Sequence, residues 1–289
     1  MDQTQPSDQQ HSFLARHDFL IRRLHSLSGL IPVGAYMVVH LITNASVVNG
    51  ASTFQGNVYK IHSLGNLLPL VEWVFIFIPI LFHAAIGFVI IGGGMPNSTQ
   101  YRYGSNVRYT LQRATGMIAF VFIMLHVFHM HGWFHEESWV KNVVEPLGGG
   151  QFKPYSATST ASEALQSIVL VGLYLLGVLS CVFHLANGLW TMGITWGIWT
   201  SEKGQARALK VCTALGLGLA AVSVVALFGI RGATDTPEKL EEVRAMEEEM
   251  YDAKVEAREL EPNEHKFRKH EEATTEDEAS QADSEDASQ

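Results

Sequence analysis

The sequence predicts an all-α membrane protein with five transmembrane helices and an acidic C-terminal tail, and three observations carry that reading. Five stretches contain no Asp, Glu, Lys or Arg: residues 24–48, 73–101, 114–134, 164–201 and 211–230. Each reaches or exceeds the ~20 residues a helix needs to cross about 30 Å of hydrocarbon. Residues 232–289 hold 20 of the 29 acidic residues and 7 of the 20 Lys and Arg, so the net charge of −9 belongs to the tail and does not point to nucleic acid. The remaining basic residues alternate in side. Arg16, Arg22, Arg23, Arg102, Arg108, Arg113, Lys203, Arg207 and Lys210 fall at one set of span ends, against Lys60, Lys141 and Lys153 at the other. The positive-inside rule then places the N-terminus in the cytoplasm and, after five crossings, the C-terminus outside.

Residues 1–18 are polar and lack the long apolar core of a secretory signal. Spans 1 and 2 carry Pro32 and Pro79, tolerable where neighbouring helices restore lost backbone partners. Residues 49–70 form one outer connection. The other, residues 134–163 with "PLGGGQFKP" in its middle, reads as an irregular outer loop. Trp133, Trp139, Trp196 and Trp199 near the ends of spans 3 and 4 read as interfacial aromatics. Cys181 and Cys212 lie in apolar runs and give no disulfide framework and no zinc spacing. In the tail, Leu240, Val243, Met246, Met250, Ala253, Ala257 and Leu260 recur at three- and four-residue steps, a helical stripe on a charged helix. The reading is a solvated helix, with docking on a partner as the alternative. From Glu271 the composition is that of disorder.

Each of spans 1–4 contains a histidine: His40 in "YMVVHLIT", His83 in "ILFHAAIG", His126 in "FIMLHVFH" and His184 in "VFHLANGLW". An imidazole in hydrocarbon is costly unless it has a partner. Four of them on four helices suit two bis-histidine haem irons, each taking one ring nitrogen from two helices while the other ring N–H bonds a carbonyl. Gly87 and Gly188 each follow a histidine by four residues, on the same helix face. The missing side chain leaves room for a flat macrocycle; close helix packing is the alternative reading. A bare metal site would want carboxylates or clustered ligands within the bundle, and Glu72 at the start of span 2 is the one carboxylate on spans 1–4. At 1.5 Å per residue, His40 is about 25 Å from Arg23 and His126 about 20 Å from Arg113, whereas His83 is about 16 Å from Gly94 and His184 about 18 Å from Trp196. The inference is two stacked irons, 40/126 outside and 83/184 inside.

The stretches "RRLHSLSGLIPVGAYMVVH", "EWVFIFIPILFHAAIG", "LQRATGMIAFVFIMLHV" and "VFHLANGLWTMGITWGI" resemble the cytochrome b subunit of succinate:quinone oxidoreductase. The resemblance is to the single-subunit, five-helix, di-haem anchor of bacterial menaquinone-linked enzymes, and it runs over residues 19–231. It implies two haem b groups in a bundle of spans 1–4 with span 5 peripheral, in the bacterial cytoplasmic membrane. It also implies a flavoprotein and an iron–sulfur subunit as partners. Electrons would pass to the inner haem of His83 and His184, then to the outer haem of His40 and His126, then to a quinone, menaquinone on the resemblance. Arg22, Arg23, His25, Arg108 and Arg113 cluster at the cytoplasmic ends, where arginine suits the propionate carboxylates; the resemblance singles out His25 and Arg113. Topogenic charge is the competing reading.

Quinone reduction consumes protons, and Glu72 is the candidate donor, a helix N-terminal carboxylate being the alternative role. The family places its quinone-site acid in the preceding loop, where this chain has Gln55 and Gly56. Val182 occupies a position where some relatives carry a proton-conducting glutamate. His129, His131, His135 and Glu136 at the outer end of span 3 read as a polar cap, with His129 the rival of His126 for iron. A proton-relay transporter could also use buried histidines, but the chain contains no paired repeat of that kind.

Overall fold

In the computed structural model, residues 16–93, 104–134, 136–263 and 265–269 are described, and within them the secondary structure is entirely helical. The N-terminal segment up to residue 15, Arg102, His135 and the expected disorder from Glu271 lie outside the described residues. Five helices are long and apolar enough to cross a membrane: α1 (Asp18–Asn49), α3 (Gly65–Gly92), α4 (Gly104–His131), α6 (Ile168–Thr195) and α7 (Glu202–Thr234). Shorter helices among the described residues include α2 (Ala51–His62), α5 (Ala157–Ala164) and α8 (Pro237–Glu256).

Both prolines sit where a helix widens. Pro32 lies inside a π-helical turn, Gly29–Gly34, and Pro79 closely follows another, Trp73–Phe77. Proline removes one backbone donor and its ring crowds the carbonyl four residues back; a widened turn absorbs that misfit without ending the helix. The long helices pack α3 on α1, α1 on α7, α7 on α6 and α6 on α4, while α3 and α4 barely touch. Four of them, α1, α3, α4 and α6, therefore surround a common interior, with α7 laid against the outside of α1 and α6. Large apolar side chains such as Ile31, Val39, Phe75, Leu125 and Val169 face outward, as suits helices whose solvent is lipid.

At the end of the bundle away from Arg22, Arg23, Arg108 and Arg113, the sequence reading needs two corrections. The connection 134–163 is not an irregular loop. It contains helical turns at Glu137–Val144 and the helix α5, whose Thr158, Ser159 and Ser162 are fully buried together with Ser156 just before it. The acidic helix α8 is not solvated on all sides either; it packs against α2 and α5. The line it buries is Val243, Glu247 and Tyr251, four residues apart and hence on one face.

Glu247 explains both findings. Its carboxylate accepts from the backbone N–H of Thr158 at 2.7 Å and Ser159 at 3.0 Å, and from the Ser159 hydroxyl at 2.6 Å. These are the unpaired donors at the first turn of α5, capped by a residue about 90 positions away. Burial pushes the Glu247 carboxyl upward from its ordinary pKa, against the pull of those hydrogen bonds. Arg244 pairs with Glu163 at 2.8 Å, Arg268 also pairs with Glu163, and Phe267 stacks on Tyr251 at 4.2 Å. The tail is thus riveted over the bundle end. Beneath it, Val47, Phe54, Val58, Ala157, Ala161 and Leu165 form an apolar core with Val171, Tyr174, Leu227 and Ile230.

Candidate functional site

A cavity of about 2390 Å³ runs through the interior of the four-helix bundle, more than twice the upper end of an ordinary small-molecule pocket, about 1,000 Å³. Its wall includes all four membrane histidines together with His25, Arg22, Arg23, Arg108, Arg113, Gly87, Gly188 and Glu72. The structure brings the histidines together in two pairs. The rings of His40 (α1) and His126 (α4) have centres 5.9 Å apart, and those of His83 (α3) and His184 (α6) are 6.0 Å apart. A metal–imidazole bond of about 2 Å puts two imidazoles on opposite sides of one ion roughly 6 Å apart, centre to centre. The pairs meet that requirement.

Each ring of the second pair is held through Nδ1 by a peptide carbonyl: His83 by the carbonyl of His25 at 2.8 Å, His184 by that of Gln112 at 3.0 Å. A bond at Nδ1 fixes the tautomer and leaves Nε2 as the ligand atom. Gln112 does more. Its side-chain amide donates to the His184 carbonyl at 3.1 Å, and its Oε1 accepts from Asn187 Nδ2 at 2.8 Å. In the first pair, His126 Nδ1 lies 3.3 Å from the Tyr174 hydroxyl, which also lies 2.7 Å from His129 Nδ1. His129 thus bonds the phenol, whereas His126 faces His40.

Two glycines that sequence reasoning missed set these positions. A Cβ on Gly29 would lie 2.3 Å from His83 Cε1, and one on Gly116 would lie 2.8 Å from His184 Cε1. Gly29 precedes His40 by eleven residues on α1, and Gly116 precedes His126 by ten on α4. The two histidine levels are therefore about 15 Å apart along the bundle. Gly87 and Gly188 do not touch the histidine that precedes them; added Cβ atoms would be 3.6 Å from His25 Cε1 and 3.4 Å from Gln112 Nε2. The repeated "G…H" spacing within spans 1 and 3 is the signal that could have revealed Gly29 and Gly116.

At the arginine end, His25 stacks on His83 with ring centres 4.0 Å apart. His25 Nδ1 and Arg108 Nε are buried without a partner, and the Arg108 guanidinium lies over Trp190. Such orphaned groups call for a partner, and the Arg108 Nε–H for an anionic one. The other arginines are engaged nearby: Arg22 with Asp18 at 2.8 Å, Arg23 with the Thr195 carbonyl at 3.2 Å, and Arg113 with the Ile90 carbonyl at 3.3 Å. Paired imidazoles, a tall cavity and unpaired donors at one mouth fit a haem with its propionates. Among the described residues there is no group of three or more His, Cys, Asp or Glu that could cage a metal, and a macrocycle asks the protein for only two ligands per iron.

At the opposite mouth Glu72 lines the cavity with His62 and Lys266. Gln55 is not at the cavity. It is fully buried, donating to the Pro154 carbonyl at 2.9 Å and accepting from Ala157 N–H at 2.8 Å. Glu136 caps the short helix after it, accepting from the N–H groups of Ser138 and Trp139. Burial, together with Lys266 and His131, holds the His62 imidazole down at about 4.

No family model matches the chain. Among curated proteins it is similar to the succinate dehydrogenase cytochrome b558 subunit of Bacillus subtilis (strain 168). The two are 33% identical over 211 residues, which cover 73% of this chain and 96% of the relative. Near-complete coverage of that relative, together with the five-helix architecture, makes this chain a member of the succinate dehydrogenase cytochrome b subunit family.

Proposed function

We propose that the chain is the electron-transferring, quinone-reducing anchor of a succinate:quinone oxidoreductase, holding two b haems in series. His83 and His184 hold the haem nearer the arginine end, which faces the cytoplasm and receives electrons from an iron–sulfur subunit fed by a succinate-oxidising flavoprotein. His40 and His126 hold the second, on the side where a quinone, menaquinone by family resemblance, is reduced. The observation that carries the proposal is the pairing of four histidines from four helices at ring-centre distances of 5.9 and 6.0 Å within one cavity.

Bound haem supplies a one-electron iron couple whose potential follows its axial ligands and burial. The chain's own residues do the rest. The carbonyls of His25 and Gln112 accept from Nδ1–H of His83 and His184, which orients the rings and strengthens them as ligands. With Nε2 of His126 given to iron, its Nδ1 would carry the proton, and the Tyr174 hydroxyl would accept from His126 and donate onward to His129. His126, and not His129, has its ring opposite His40, and that pairing favours His126 for iron. His25 and Arg108 offer their unpartnered donors to carboxylates at the inner mouth. Glu72 stands at the other mouth, positioned to pass protons to a quinone carbonyl.

A reduced-minus-oxidised optical spectrum of the purified complex tests the proposal, with two haems per chain as the expected result. His83→Ala or His184→Ala should lose one haem and keep the other. Retention of both haems in either variant would overturn the assignment. Glu72→Gln should slow quinone reduction about 10-fold or more while leaving succinate-driven haem reduction intact; unchanged turnover would remove Glu72 from the site.

A further inference from the structure

We propose that the C-terminal extension completes the quinone pocket, Lys266 supplying the cation that binds one quinone carbonyl oxygen; this rests on the quinone-reducing function proposed above. The cavity that contains the histidines continues beyond His40, and its wall there includes His62 of α2, Glu72 of α3, and Asn263, His265 and Lys266 of the segment following α8. That segment is pinned at successive residues. The Tyr155 N–H donates to the Lys266 carbonyl at 2.8 Å, Phe267 lies flat on Tyr251, and the Arg268 N–H donates to the Ser156 hydroxyl at 3.1 Å. Holding a chain segment in one conformation costs conformational entropy, and here the contacts that offset it also present a lysine to the cavity.

The Lys266 ammonium stands 5.9 Å from the centre of the Tyr155 ring and within electrostatic range of both Glu72 and His62. His62 Nδ1 is buried with no hydrogen-bond partner. A cation, a carboxyl group and an imidazole thus converge on the mouth of a largely apolar cavity. The ligand class that fits is a flat, neutral ring bearing carbonyl oxygens. Its reduction takes up two electrons, delivered through the chain, and two protons, drawn from water by way of Glu72 and His62, and each carbonyl becomes a hydroxyl. As electrons arrive, negative charge grows on the carbonyl oxygen. An ammonium hydrogen-bonded there stabilises the charged species more than the neutral quinone, so Lys266 acts on kcat as well as on KM.

The test uses the intact complex with succinate as donor and a short-chain 1,4-naphthoquinone as the probe. Lys266→Ala should lower kcat/KM for the naphthoquinone about 10-fold or more, with kcat itself reduced, while succinate reduces both haems as in wild type. Lys266→Arg keeps the charge and should recover most of the loss. A chain ending at Arg231 should be impaired at least as much as Lys266→Ala. Wild-type kinetics in Lys266→Ala, with the unaltered complex active on the same quinone, would overturn the proposal. Failure of the unaltered complex to reduce any quinone would instead overturn the function on which it rests.

Discussion

Replacing Gly29 with alanine probes how closely a ligand ring approaches its neighbouring helix. The added Cβ would sit 2.3 Å from His83 Cε1 and 2.5 Å from Nδ1, where carbon atoms rest at about 3.5 Å. The ring must therefore retreat by roughly 1 Å. It is also held by its bond to the His25 carbonyl at 2.8 Å and by stacking on the His25 ring at 4.0 Å. Overpacking of this kind costs about 1–3 kcal/mol, which translates to a roughly 5- to 150-fold loss of haem affinity at that level. Haem content per chain and the reduced-minus-oxidised spectrum measure it: the His83/His184 haem should be lost or weakened while the His40/His126 haem persists. Gly116→Ala should act in the same direction but less strongly, since its Cβ would lie 2.8 Å from His184 Cε1. Gly218→Ala, on α7 with nothing within 4 Å of the added Cβ, should change nothing. Wild-type affinity for both haems in Gly29→Ala would refute the packing argument, and so would an equal loss in Gly218→Ala.

Tyr174→Phe removes the hydroxyl shared by His126 and His129; haem affinity at the His40/His126 level should fall about 10-fold and its midpoint potential should rise, with the other haem unaffected in a redox titration. Glu247→Ala strands three buried donors at the first turn of α5, at a cost of about 3 kcal/mol; hydrogen exchange at the Thr158 and Ser159 amides should accelerate. The His62 imidazole is depressed from 6.5 to about 4 in the folded protein, by burial first and then by Lys266 and His131. The unfolded chain therefore binds the extra proton first, and the stability of this region falls as the pH drops from 6.5 towards 4. Protection of the Tyr155 amide, which donates to the Lys266 carbonyl, should weaken over that window, and His62→Gln should abolish the dependence.

The candidate site was legible to the extent that its chemistry conflicts with its surroundings. A histidine in a run without charge is conspicuous because imidazole in hydrocarbon needs a partner, so His40, His83, His126 and His184 stood out at once. Counting along the helices indicated which of them share a level, and the structure sets His40 beside His126 and His83 beside His184. Gly29, Gly116, Gln112 and Tyr174 did not stand out. Small residues abound in membrane helices, and nothing local distinguishes one that faces a neighbour's ring from one that faces lipid. For the same reason Gly87 and Gly188 were linked to the histidines four residues before them, although the atoms nearest to added Cβ atoms there belong to His25 and Gln112.

By itself the sequence determined the number of spans, because crossing hydrocarbon demands about 20 apolar residues in a row, a property of each segment alone. It also determined the helical character of the tail up to α8, because a periodic stripe is local too. The tertiary structure alone decided what the Ser- and Thr-rich stretch of α5 and the acidic tail do together. Glu247 caps a helix about 90 residues earlier in the chain, and Gln55 joins α2 to the start of α5 about 100 residues later. A buried polar group is stable only with its partner, and when that partner lies so far along the chain, only the fold brings the two together.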